Sequence, residues 1–246
     1  MEGYEDVEII LKKVKKELSP SNFEAKLDEF NALVLDVRHQ NEFSKSLVER
    51  GPLKGFDIQS LVEKYKSDFV GHVNYRKFGV DFPILIKFIN AEQDLSIQVH
   101  PNNKIAQKRH GSLGKREMWC IMHAEPDAKL ILGFQGDQSP NSLKKHINEN
   151  TLESILNYQS VKEGDCFFVD SGKVHSIGGG IVLAEIQQKS DITYRLYDWN
   201  RKDKKGKVRE LHVDSALDAI NYSNDNSFTI NYKAVENKFV GIGQEF

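Results

Sequence analysis

Cysteine is nearly missing: the chain has two in 246 residues, Cys120 and Cys166. Two cysteines cannot build a disulfide scaffold. Both lie inside apolar runs, so they read as buried thiols of a reducing, cytoplasmic environment. An excess of charge is missing as well. With 34 Lys and Arg against 36 Asp and Glu, the net charge is −2, which leaves no electrostatic footprint for nucleic acid. No apolar run approaches the ~20 residues of a membrane span. The first residues lack the pattern of a signal peptide, so a cytoplasmic protein with no membrane partner is expected. There is no internal repeat and no low-complexity linker. What remains, 39% hydrophobic and 28% charged, is the composition of an ordinary globular protein. The length allows one large domain or two small ones.

The informative stretch runs from Asp94 to Trp119. Gln98 and His100 sit two apart in a segment that alternates polar and apolar, which on a strand puts both on one face and turns Val99 into a core. Pro101 ends that strand, because it cannot donate to a ladder. Glu117 opens a second apolar run, Met118 to Met122. Further on, Glu163-Gly164-Asp165 reads as a turn and Cys166 to Val169 as a strand. Another turn leads to His175, placed between strands, and a long strand follows from Ile181 to Gln187. Imidazole, carboxylate and amide oxygen from adjacent strands suit zinc, and other divalent metals also accept them. The competing reading of any one of the eight histidines is a hydrogen-bonded or surface residue.

Five ordered motifs resemble the type I phosphomannose isomerases. They are Gln98-x-His100-Pro101, Gly114-Lys115-x-Glu117-Met118-Trp119, Val174-His175-Ser176-Ile177-Gly178, Glu185 through Asp198, and Arg209-Glu210-Leu211-His212. The strand Phe82 to Ile89 also matches. The resemblance covers residues 46–222. It implies a mainly β chain, a cupin-type antiparallel β-barrel (jelly roll) with helical additions. It also implies a zinc-dependent isomerase that interconverts mannose 6-phosphate and fructose 6-phosphate through an enediolate. Gln98, His100, Glu117 and His175 would bind one zinc. Glu185 would transfer a proton, Arg195 would stabilise the enediolate or contact phosphate, and Lys115 would lie near the substrate. The plain structural reading of Glu185 and Arg195 is a buried ion pair. The expected partner is a small phosphosugar, with no nucleic acid and no membrane, and the chain is expected to act as a monomer. The alternative is a truncated, metal-binding cupin without catalysis.

The chain ends depart from that pattern. Residues 1–45 read as a separate segment, 46–222 as the isomerase-like domain, and 223–246 as a short extension without the second cupin barrel of longer relatives. Val7, Ile10, Leu11, Val14 and Leu18 have helical spacing. Ser19-Pro20-Ser21 predicts a short helix from Asn22 to Phe30, followed by a buried strand, Ala32 to Arg38. Residues 19–43 resemble the opening of a rhodanese, but no cysteine occurs before Cys120, so sulfurtransferase chemistry is excluded there. Asp57 should cap a helix carrying Ile58, Leu61, Val62 and Tyr65. Lys129 to Phe134 reads as a strand and Ser139-Pro140 as a helix start. A second helix is predicted from Thr151 through Leu156, and another over Leu211 to Ile220.

Overall fold

The structure is a computed structural model. It describes residues 52–203 and 205–223, Leu47, and the strands at 25–27, 32–37, 39–41 and 44–45. Among the described residues the strands are β1 (Ala25–Leu27), β2 (Ala32–Val37), β3 (His39–Asn41), β4 (Ser44–Lys45), β5 (Ile84–Ala91), β6 (Ile97–Val99), β7 (Glu117–Ala124), β8 (Lys129–Phe134), β9 (Leu156–Ser160), β10 (Cys166–Val169), β11 (His175–Ile177), β12 (Ile181–Gln188) and β13 (Tyr194–Tyr197). They form a six-stranded sheet in the order β1-β2-β5-β12-β7-β10 and a five-stranded sheet in the order β13-β6-β11-β8-β9. Every pairing is antiparallel. The mainly β class and the barrel expected from the motifs are what is seen.

Alternation decides which way each strand faces. Trp119 and Ile121 of β7, Leu183 of β12 and Ile89 of β5 meet Leu130 and Leu132 of β8 and Ile177 of β11 in one apolar cluster between the sheets. The intervening residues of the five-stranded sheet face outward. Ile97, Val99, Ile131, Tyr194 and Leu196 pack there against Leu143, Ala216 and Ala219, which belong to the helices Pro140–Asn148 and Val213–Ala219. One face of that sheet therefore belongs to the barrel and the other to the helices.

Local signals start the helices. The Asp57 carboxylate accepts from Ser60 N–H at the head of Ile58–Tyr65. Ser139 and Ser142 form a reciprocal capping box, with proline in the first turn. Asn102, directly after Pro101, caps Asn103–His110 through Ile105 N–H. That helix spans the gap between the strand end carrying His100 and the strand start carrying Glu117.

Three expectations need correction. The helix predicted over Asn22 to Phe30 contains a strand instead, β1, laddered to β2 from Ala25↔Leu35 to Leu27↔Leu33. A partner strand overrides a weak local cap signal. The helix predicted from Thr151 is one 3-10 turn, Leu152–Ile155, followed directly by β9. There β8 offers an open edge, and pairing Leu130↔Gln159 uses it. His175 is the first residue of β11, paired with Gln98 and Leu132, rather than a turn residue. The strand read from Ala32 is present and pairs with β5 from Ala32↔Ala91 to Val37↔Ile86. The helix read at residues 5–18 and most of the 223–246 extension lie outside the described residues.

Gly178 ends β11, and a Cβ there would sit 2.1 Å from the Lys129 carbonyl oxygen. That atom is backbone and cannot swing aside. Gly178→Ala should therefore cost about 1–3 kcal/mol through forced displacement of β8, read as a lower midpoint in urea unfolding. An unchanged midpoint would contradict the tight β8–β11 contact.

Candidate metal centre

Between the sheets, the side chains near one end of the barrel turn polar. Register explains how. Gln98 of β6 pairs with His175 of β11 on one side and Arg195 of β13 on the other, so all three stand in one row on the inner face. His100 follows one residue after β6. From the opposite sheet Glu117 opens β7, level with Gln187 of β12. The result brings His100, Glu117 and His175 together, with at most 1% of each exposed. One ligand atom from each lies within 4.8 Å of the others.

The ring orientations are fixed from behind. His100 Nδ1 lies 2.9 Å from the Ile192 carbonyl and His175 Nδ1 2.8 Å from the Lys173 carbonyl. A carbonyl only accepts, so each Nδ1 carries the proton and each Nε2 presents a lone pair. Those two Nε2 atoms are 3.2 Å apart. They lie 3.2 Å (His100) and 3.7 Å (His175) from the Glu117 carboxylate. Burial, reinforced by Lys115, pushes the His100 pKa down to about 3. Burial also lowers that of His175. Neutral rings with both lone pairs inward cannot hydrogen-bond to each other. The Glu117 oxygens are buried and meet no well-aligned hydrogen-bond donor among the described residues. The Gln98 amide lies 3.4 Å from His175 Nε2, and its oxygen and nitrogen exchange by a flip. Two imidazole lone pairs, a carboxylate and, with that amide flipped, a carbonyl oxygen converge, a set that fits a divalent cation.

Lys115 lies 3.0 Å from Glu117 Oε1. Burial alone would lower its pKa, but Glu117 and Glu185 outweigh burial and hold it above the usual value. Burial would raise the Glu117 pKa, yet Lys115 and His100 outweigh that and hold it well below the carboxylate range. Both groups are charged.

A second buried cluster lies beside the first. Lys87 of β5, Glu185 of β12 and Trp119 of β7 occupy one cross-strand row. Lys87 Nζ is 3.1 Å from Glu185 Oε1 and also donates to Gln187 Oε1. Trp119 Nε1–H donates to Glu185 Oε2 at 3.0 Å. Burial lowers the Lys87 pKa despite the raising effect of Glu185. Glu185 therefore has Lys87 as its counter-charge, not Arg195. Arg195 donates instead to the Glu210 carbonyl at 2.9 Å, and its backbone N–H to His212 Nδ1 at 3.2 Å. The fifth motif is thus the bracket that holds Arg195.

The four residues expected to bind metal come together, with Lys115 against them. Glu185 stands in the adjoining cluster, and Arg195 shares the row of Gln98. Lys87, Gln187 and Trp119 were not singled out in advance. The signal for Lys87 is visible afterwards as a lone charge in the apolar run Ile84-Leu85-Ile86-Lys87-Phe88-Ile89. A lysine buried there needs an anion inside the barrel.

A family model, the catalytic domain of type I phosphomannose isomerase, matches residues 12–116. Over 183 residues the chain is 42% identical to mannose-6-phosphate isomerase ManA of Bacillus subtilis, covering 74% of this chain and 56% of that protein. The chain is similar to the type I phosphomannose isomerases over most of its length. Mannose-6-phosphate isomerase of Streptococcus mutans is 38% identical over 175 residues, which is 71% of this chain and 54% of that one. The crystal structure of the mannose 6-phosphate isomerase from Bacillus subtilis superimposes with a TM-score of 0.67 at 32% identity, covering 83% of this chain and 66% of that chain. A variant of phosphomannose isomerase from Salmonella typhimurium, 14% identical, shares the fold with a TM-score of 0.58, over 88% of this chain and 76% of that one. The fold is the cupin barrel of these phosphomannose isomerases. The chain spans about half the length of the curated relatives it matches. The family match begins at residue 12 and so runs through 19–43, where the likeness to a rhodanese finds no support. Among the described residues no helix is long and apolar enough to cross a membrane.

Lys87→Met would leave Glu185 buried without its cation. It should destabilise the protein by about 3–5 kcal/mol in urea unfolding. Adding Glu185→Gln removes the stranded charge and should recover most of that loss. A single variant as stable as the wild type would show that Lys87 does not neutralise Glu185.

Proposed function

We propose that the chain is a zinc-dependent aldose–ketose isomerase that interconverts mannose 6-phosphate and fructose 6-phosphate. The observation that carries this reading is the pair of buried imidazoles, each locked by a carbonyl on Nδ1, facing Glu117 inside a phosphomannose isomerase barrel. Gln98, His100, Glu117 and His175 would hold one zinc. Three neutral donors and one carboxylate leave half of the ion's charge uncompensated. Zinc, when bound, supplies Lewis-acid stabilisation of the oxygen charge that develops as the proton moves between C1 and C2.

The remaining residues have separate tasks. Glu185 is the candidate for the proton transfer. Its carboxylate is aimed by Trp119 Nε1–H on one oxygen and Lys87 on the other, so it is pre-oriented and shielded from water. Lys115 holds Glu117 ionised, as its ligand role requires, and would lie near the substrate. Arg195 contributes a permanent positive charge on the inner face where an enediolate or a phosphate would be stabilised. A non-catalytic metal-binding module would not need Lys87, Glu185 and Trp119 assembled beside the metal ligands. The ligand is a small phosphosugar, and a monomer suffices, because one chain supplies every residue invoked.

Two measurements test this. Metal analysis of purified protein should give close to one zinc per chain, and His100→Ala and His175→Ala should each lose it. Zinc retained at wild-type level in both variants would refute the ligand set. In an assay of fructose 6-phosphate formation from mannose 6-phosphate, Arg195→Ala should lower turnover by ~10²-fold while zinc stays bound, the scale of a lost electrostatic stabiliser. The loss should fall on kcat more than on KM. A folded, zinc-loaded wild-type protein without isomerase activity above its metal-stripped control would leave the non-catalytic cupin in place of the enzyme.

A further inference from the structure

The two cysteines, 46 positions apart in the chain, are directly opposed across a ladder: Cys166 of β10 pairs with Cys120 of β7. Their neighbours Trp119, Ile121 and Phe167 belong to the inner cluster, so both sulfurs stand on the outer face of the six-stranded sheet. The two Sγ atoms face each other in direct contact. The type of ladder position matters here. One residue further along, Ile121 N–H donates to the Asp165 carbonyl, and the Ile121 carbonyl accepts from Gly164 N–H. By alternation Cys120 and Cys166 form a non-hydrogen-bonded pair, the position where opposed Cα atoms approach to about 4.5 Å. That falls inside the roughly 4.4–6.8 Å that a disulfide spans. Cys120 is half-buried and Cys166 buried.

We propose that Cys120 and Cys166 are a redox-modification site, a dithiol that a low-molecular-weight disulfide converts to a cross-strand disulfide without moving the backbone. The electron count closes in two exchanges. The Cys120 thiolate attacks one sulfur of the oxidant, forming a mixed disulfide and releasing one small thiolate. The Cys166 thiolate then attacks Cys120 Sγ, forming the intrachain bond and expelling the second. The protein loses two electrons and two protons, and the oxidant leaves as two small thiols. The bond would fasten β10, the edge strand of its sheet among the described residues, to β7. Both strands border the proposed metal centre. β7 begins at Glu117, and the turn after β10 leads to His175.

The test uses the full wild-type chain and glutathione disulfide. After native incubation, alkylation with N-ethylmaleimide should find both thiols lost, with the chain unchanged in size. Non-reducing peptide mapping should find the Cys120 and Cys166 peptides joined, and dithiothreitol should restore both thiols. Cys120→Ser and Cys166→Ser should each stop at a glutathione adduct or a thiol, with no intrachain link. The proposal is overturned if both thiols stay alkylatable. It is also overturned if the link forms only after unfolding in urea, or only between chains.

Discussion

A buried carboxylate held against one buried ammonium is the constraint on which this barrel turns. Glu117 sits at the start of a central strand, sealed from water, where an isolated charge would be severely destabilising. It is kept ionised by Lys115 at 3.0 Å, itself buried. The two histidines do not relieve the carboxylate, because their Nδ1 protons are committed to the carbonyls of Lys173 and Ile192. Those carbonyls lie on loops leading into β11 and β13. Loop geometry therefore determines what the ring nitrogens can do, and the interior is left with converging lone pairs.

Much of the site could be read from the chain. The spacing of Gln98 and His100 and the proline behind them foretold a strand and the face those two side chains share, because period-two alternation carries directly into which face a side chain occupies. The pairing between distant strands could not be read this way. That Gln98 lies between His175 and Arg195 follows from the order β13-β6-β11, a long-range property. The same limit hid Lys87. Within β5 it looks like an interruption, and it makes sense only when β12 places Glu185 beside it.

The misread elements fail for a related reason. β1 and β9 carry little intrinsic strand signal, and the residues before them, Ser19-Pro20-Ser21 and Thr151, resemble helix starts. Each becomes a strand because a neighbour, β2 or β8, presents an edge to be paired. The helix starts expected at Asp57 and Ser139, which rest on a local side-chain cap, are present, since a cap hydrogen bond is a property of a few consecutive residues. Local rules thus located those two helix starts, whereas the sheets required knowledge of partners.

Charge bookkeeping links the two buried clusters to the proposed chemistry. With His100 and His175 neutral, the charges of Lys87 and Lys115 cancel those of Glu117 and Glu185. The interior is then balanced before any ligand enters. A divalent cation on the proposed ligands adds two positive charges to that balanced set, and Arg195 stands in the same row as Gln98. The pocket would then be strongly positive and largely shut from screening water. Such a site favours an anion, and favours it more as negative charge develops on the bound molecule. A neutral sugar meets none of this excess, whereas a phosphosugar passing through an enediolate meets it twice. The arrangement of lysines is therefore part of the specificity. Without Lys87 and Lys115 the two carboxylates would neutralise the cation, and the field that stabilises the developing charge would vanish.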